Sequence, residues 1–360
     1  MQLADFVLRR VCLLFLLSSF ALQAQTAPAP KPIQIKVVVV AMFERGEDTG
    51  DAPGEFQLWV DREHFDQVLP LAAGYHHVRL NKDGVLEMLT GVGTAKAAAS
   101  VMALGLDPRF DLTKAYWVIA GIGGGDPQDV SLGSAVWADH VIDGDLAFEI
   151  DAREIPADWP TGFVPLRKST PYEQPVIPAE TFGEAYALNG GLANWAFHLT
   201  KDVSLEDSDD MRVARARYTG FPNAQKPPFV TVGTDVSAST FFYGARMNEW
   251  ANAWAKYYSG GRGNFMVSAM EDTGTLQALT FLDQAKRVDL QRVMVLRTIS
   301  NYDMQAPGAQ AADGLKDFGA GRYSAYMPSL EAAQKVGNKV VRDIVANWRD
   351  RESTIPHWQP

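Results

Sequence analysis

The chain has 360 residues, with 43 acidic against 33 basic side chains, a formal charge of −10 and no basic run; this excludes nucleic acid and anionic membrane surfaces as partners. Its one cysteine, Cys12, falls in the N-terminal stretch of residues 1–24, so the rest of the chain has no disulfide, no thiol nucleophile and no cysteine-ligated zinc. No later apolar stretch approaches the ~20 residues needed to cross a bilayer, which makes a channel or carrier built from this chain alone physically implausible.

Residues 1–24 carry Arg9 and Arg10, an apolar stretch from Val11 to Leu22, and small residues at Ala21 and Ala24. This is the pattern of a secretory signal peptide, so the mature protein is expected to be exported, periplasmic or secreted. Residues 25–32 read as an Ala/Pro linker. The remainder suits a single α/β domain over 33–350, with 151–228 as an insertion and 351–360 as a tail.

Lys36 to Ala41 (KVVVVA) is a β-branched run typical of a strand buried on both faces. It ends in Met42-Phe43-Glu44-Arg45-Gly46-Glu47-Asp48, where charge arrives at the strand's C-terminal end. Ligands bind there in open α/β sheets, and a solvated loop is the equal alternative. His76 to Leu80 and Val85 to Leu89, joined by Asn81-Lys82-Asp83-Gly84, read as a hairpin. Gly91-Val92-Gly93 then leads into a helix over Thr94 to Leu104, with Thr94 as N-cap and Gly105 as its stop. A dinucleotide fingerprint needs a third glycine where Lys96 stands, so a Rossmann cofactor site is rejected.

Tyr116 to Ala120, the glycines 121, 123, 124 and 125, and Ala135 to Val141 read as strand, glycine loop, strand. Such a loop suits a floor for a flat ligand, and equally a tight turn. Periodicity fades between Asp151 and Pro228. Further on, Phe229 to Gly233 is read as a strand and Phe241 to Tyr258 as an aromatic helix with most rings in the core. Asn264 to Ser268 is a strand, Thr273 to Arg287 a helix, Val293 to Ser300 a buried strand, and Leu330 to Trp348 an amphipathic helix.

Three strand ends carry unusual chemistry: the glycine loop after Ala120, Ala269-Met270-Glu271, and Ser300-Asn301. Together they resemble the nucleoside phosphorylase and nucleosidase superfamily. The parts occur in that superfamily's order: Val37 to Met42, Gly91-Val92-Gly93, Ala120 to Gly125 with Leu132 to Val136, Val236 to Gly244, Met270-Glu271, and Arg297 to Asn301. Within it, the export signal, the length and the mid-chain insertion resemble the purine nucleoside permease family. The resemblance implies a three-layer, nucleoside-phosphorylase-like domain with a central mixed, mostly parallel sheet flanked by helices. It implies a purine nucleoside as ligand and a homo-oligomer in which a neighbour lends a residue. His198 and His64 are candidates for that part, with a surface or core histidine as the plainer reading.

Residue by residue, the resemblance implies that Glu271 accepts the ribose hydroxyls and Met270 packs beneath the sugar. It implies that Phe241 stacks on the purine, Phe242 supplies backbone contacts, and Gly123 and Gly124 lie along the sugar and base. Asn301 stands where adenine nucleosidases have an aspartic acid that protonates the departing base, a contribution of roughly 10²–10⁴-fold. An amide donates a hydrogen bond but gives up no proton, and Asp303 is a candidate substitute. The phosphorylase pattern's arginine and serine are Ile119 and Ile122 here. Phosphate as co-substrate is therefore disfavoured, with Arg45, Arg297 and Arg246 left as other sources of an anion site. No other cofactor and no metal is implied. Hydrolysis needs a carboxylate to activate water, for which Glu44 is the candidate. Two readings stand: a purine nucleoside-binding protein serving uptake, and an N-ribosyl hydrolase, or less readily a phosphorylase, releasing free base. Sugar hydrolysis by Glu44, Asp126 and Glu271 is a third.

Overall fold

A computed structural model describes residues 31–172 and 183–358. The expected signal peptide, most of the linker and part of the 151–228 segment lie outside these residues.

Fourteen strands are described: β1 Ile33–Gln34, β2 Val37–Ala41, β3 Gln67–Leu69, β4 Val78–Leu80, β5 Val85–Leu89, β6 Phe110–Asp111, β7 Tyr116–Gly125, β8 Ala135–Asp143, β9 Ala147–Glu149, β10 Phe163–Pro165, β11 Ala185–Ala187, β12 Val230–Ser237, β13 Phe265–Ala269 and β14 Val293–Tyr302. Ten of them form one mixed sheet in the order β11-β8-β12-β13-β7-β2-β5-β4-β3, with β14 paired to both β7 and β8. That double pairing turns part of the expected layer into a closed ring, β7-β14-β8-β12-β13. Within the ring, β7 with β14, β8 with β12 and β12 with β13 are parallel, and β14 with β8 and β13 with β7 are antiparallel.

The valine run shows why the sheet is covered on both faces. Side chains alternate across a strand, so Val38 and Val40 join one core while Val37 and Val39 join another. β7 divides in the same way, Trp117 and Ile119 against Tyr116, Val118 and Ala120. The helices Thr94–Leu106 and Asp272–Gln284 cover the first face through Val101, Leu104, Leu276, Leu279 and Leu282. The helices Gly190–Thr200 and Tyr326–Ala346 cover the second through Leu192, Ala196, Val336, Val340 and Ile344. Each such buried valine, leucine or isoleucine contributes about 1.5–3 kcal/mol.

Four expectations change. The glycine stretch is the second half of β7 rather than a loop, and its glycines are not in the left-handed region. Neighbours press on it from the rest of the ring: a Cβ on Gly123 would strike the Ser268 carbonyl, on Gly124 the Asp303 carboxyl, and on Gly125 the side chains of Ile299 and Val130. Gly105 does not stop its helix, which runs to Leu106; its missing side chain admits Leu282 from the facing helix. The N-cap of that helix is Gly93, at φ 95°, and Thr94 Oγ1 bonds to Ser239 Oγ at 2.6 Å instead. Phe241 and Phe242 precede their helix, which begins at Ala245 after Gly244 at φ 118°.

The 151–228 segment adds β10, paired to β9, and the edge strand β11 on β8, besides the Gly190–Thr200 helix capped by Asn189. No helix among the described residues is long and apolar enough to cross a membrane.

Candidate functional site

β2, β7, β13 and β14 end around a cavity of about 380 Å³. Its floor is Gly123 and Gly124. Met270 and Glu271 line one side, Ser300 and Asn301 another, and Phe241, Phe242, Tyr323 and Tyr326 crowd the mouth.

Glu271 sits where β13 gives way to the Asp272–Gln284 helix, and it is 4% exposed. Its Oε1 accepts from the Gly93 backbone N–H at 3.1 Å and its Oε2 from Arg297 Nη2 at 3.1 Å. Burial raises its pKa while Arg297 opposes the rise. Arg297, on β14, donates two hydrogen bonds to Asp272, at 2.9 and 2.5 Å, and one to the Ile122 carbonyl at 3.0 Å. Four of its five N–H groups are thereby bonded within the protein. Burial and the neighbouring Asp272 carboxylate push the pKa of Asp235 well above the usual range.

A second carboxyl faces Glu271 across this cluster. Glu55 accepts from Met42 N at 2.8 Å and Ile122 N at 2.7 Å, and burial raises its pKa to about 8. Gly121 makes room for it, since a Cβ there would run into the Glu55 carboxyl and Met42.

At the other end of the cavity one row of residues crosses three strands. Gly124 on β7 pairs with Asn301 on β14 and with Ser268 on β13. Asn301 Oδ1 accepts from Ser300 Oγ at 2.9 Å, and its Nδ2 donates to the Tyr302 carbonyl at 3.1 Å, leaving one amide hydrogen unspent.

Residues 34–356 match the family model described as purine nucleoside permease (NUP). The chain belongs to that family. A purine nucleoside permease of Candida albicans is 28% identical over 268 residues, which cover 73% of this chain and 64% of the relative; the chain spans less than two thirds of that relative's length. Among solved structures, the futalosine hydrolase of Helicobacter pylori aligns at a TM-score of 0.51 and 15% identity, over 86% of this chain and 98% of that one. A Streptococcus pneumoniae MTA/SAH nucleosidase aligns at 0.50 and 14%, over 86% and 99%. At these identities the likeness is one of fold, and it makes the domain nucleoside-phosphorylase-like.

In this permease-family chain the cavity brings together Gly123, Gly124, Phe241, Phe242, Met270, Glu271 and Asn301. Phe241 is 42% exposed, with its ring 5.3 Å from that of Phe318, whereas Phe242 is buried edge-on against Trp250. Glu44 is outside the cavity. Its carboxylate accepts from the backbone N–H groups of Arg45, Gly54, Phe56 and Gln57, capping the short Gln57–Glu63 helix across the loop. Asp303 is fully buried behind Ser268 and does not line the cavity. Asp126 is held away by Asn252 and the Gln128 backbone. His64 closes the Gln57–Glu63 helix, and His198 stacks on Trp358 at 4.0 Å.

Of the other cations weighed for an anion site, Arg246 pairs with Glu249 on the surface and Arg45 lies over the Tyr326 ring at the rim. Glu55, Ser268, Tyr323 and Tyr326 were missed by sequence reasoning. Gly54-Glu55-Phe56 carries no motif, and only its contact with Met42 and Ile122 reveals it.

One cluster outside the cavity has metal-like composition: Asp48, His76 and His77. There Arg79 Nε and Nη2 lie 2.8 and 2.6 Å from the Asp48 oxygen that also meets His77, so a guanidinium already supplies the positive charge. The cluster latches the loop after β2 to the β4–β5 hairpin.

Proposed function

We propose that this chain binds purine nucleosides in the cavity between β2, β7, β13 and β14 and serves their uptake as an exported protein. The observation that carries the reading is the Glu271 carboxylate, nearly buried and oriented by Gly93 and Arg297, with lone pairs left for the two adjacent hydroxyls of a ribose. Met270 then packs beneath the sugar, the Cβ-free backbone of Gly123 and Gly124 lies against sugar and base, and Phe241 covers the ring. The spare Asn301 amide hydrogen reaches a ring nitrogen or carbonyl of the base. No metal or organic cofactor has a part in this. Export is supported by the charged and apolar pattern of residues 1–24. Calorimetric titration of the chain lacking those residues with inosine, guanosine and adenosine should give saturable heats that Glu271→Ala abolishes. No heat with any of the three would overturn the reading.

Glu55 favours a second reading, hydrolysis of the N-ribosyl bond. Once ionised, Glu55 takes a proton from water as the water oxygen bonds to C1′ and the bond from C1′ to the base nitrogen breaks. Asn301 steadies the departing base by a hydrogen bond, and water supplies the base's proton. Incubation with inosine, followed by chromatography for hypoxanthine and ribose, should show release that is independent of phosphate and lost in Glu55→Gln. Release that requires phosphate would overturn this reading, and binding without release would leave the first alone.

A further inference from the structure

Ser268 lines the cavity, and neither reading uses it. It stands in the same row as Asn301, with Gly124 between them. Neighbouring strands lie ~4.8 Å apart, so the two side chains reach the cavity from backbones about 10 Å apart, on either side of Gly124. Ser268 Oγ shares a 2.7 Å hydrogen bond with Asp303 Oδ1, while Asp303 Oδ2 is fully buried without a partner among the described residues. Gly124 is what allows this, because a Cβ there would displace both the carboxyl and the hydroxyl.

We propose that Ser268, held by the buried Asp303, reads the edge of the purine that carries the 6-substituent, and that it changes between donor and acceptor with the Asp303 proton. The inference rests on the nucleoside-binding reading above. When Asp303 is protonated, its O–H donates to Ser268 Oγ and the serine hydrogen turns toward the base, where it suits the carbonyl of a 6-oxopurine. When Asp303 is ionised, its carboxylate takes the serine hydrogen and a serine lone pair faces the base, where it suits a 6-amino group.

Burial raises the Asp303 pKa to about 8, with Asp126 adding to the rise and the Ser268 hydrogen bond opposing it. The groups packed around the carboxyl are Asp126 just after β7, the phenols of Tyr218 and Tyr243, whose pKa values Asp303 helps to raise, and the Gly125 carbonyl that accepts from the Asp303 backbone. No cation is among these described neighbours, so nothing in that set pulls the titration back to the usual carboxylate range.

The test is the ratio of adenosine to inosine dissociation constants between pH 6 and 9, measured on wild type, Asp303→Asn and Ser268→Ala. In wild type the preference for inosine should fall about tenfold as the pH rises through 8, the equivalent of one matched hydrogen bond becoming mismatched. In both variants that fall should be absent, leaving only the change that the nucleosides' own titration and Glu55 impose. Glu55 and the nucleosides themselves titrate in all three proteins, so they cancel in the comparison. A wild-type ratio that does not change, or one that changes equally in the variants, overturns the inference while leaving nucleoside binding intact. Failure of wild type to bind either nucleoside overturns the cavity reading itself. If Asp303→Asn does not fold, Ser268→Ala carries the test.

Discussion

Replacing Glu55 by glutamine should change how stability depends on pH. Burial holds the Glu55 carboxyl neutral in the folded chain, with its pKa raised from 4.5 to about 8, whereas the unfolded chain ionises it at the ordinary value. Between those limits the folded state binds one proton more, so stability falls as pH rises. The contribution is fully present below pH 4.5 and lost by the time the pH passes 8. At ~1.36 kcal/mol per pH unit the whole difference is about 5 kcal/mol. Glutamine keeps the shape and cannot ionise, so the variant escapes this loss. Urea unfolding at intervals from pH 4 to 9 should show wild type losing about 5 kcal/mol relative to Glu55→Gln, most of it before pH 8. Asp303, Asp235 and Glu87, also raised by burial, are common to both proteins and cancel. Parallel curves would refute the assignment of a neutral, buried Glu55.

Glu271→Gln should weaken nucleoside binding by roughly 100-fold in calorimetry, because a charge-assisted hydrogen bond contributes about 1.5–3 kcal/mol and the amide offers fewer lone pairs. An unchanged affinity would remove Glu271 from the sugar site. Gly124→Ala should lower stability by about 1–3 kcal/mol through overpacking and should abolish binding, since the added methyl group meets the Asp303 carboxyl; thermal unfolding and titration check both. Glu44→Ala should cost about 1–2 kcal/mol of stability through the lost helix cap. Its nucleoside affinity should stay within a few-fold of wild type, and a loss as large as that of Glu271→Gln would contradict its placement outside the cavity.

The strands and helices with long or periodic apolar patterns were readable from the chain. KVVVVA, VMVLRTIS and the hairpin around Asn81 declare themselves by run length and turn chemistry, and Met270-Glu271 by charge at a strand's end. What escaped was everything set by distant partners. The glycines of β7 read as a loop because composition does not reveal that Ser268, Asp303 and Ile299 press on that strand from elsewhere in the ring. Glu44 looked catalytic because it follows a strand, yet the free N–H groups of a helix start ten or more residues later claim it. Glu55 was invisible for the converse reason: it comes from a featureless loop, and only the folded chain brings it beside Glu271. The closure of the sheet rests on β14 pairing with β8, an antiparallel contact between segments far apart in sequence that no local pattern announces.

The acid cluster around Arg297 governs how a ligand meets the cavity. Arg297 stands against two carboxylates, Asp272 and Glu271, and burial raises the pKa values of Glu55 and Asp235 beside them. The chain as a whole carries a charge of −10, and the inner wall adds no excess positive charge, since its one buried guanidinium is outnumbered by carboxylates. Ionic strength then has little to screen. Affinity for an uncharged nucleoside should be nearly indifferent to salt, while a phosphorylated one approaching through the acidic exterior would be repelled, less so as salt is added. The cavity thus disfavours anionic ligands at its inner wall as well as at its approach.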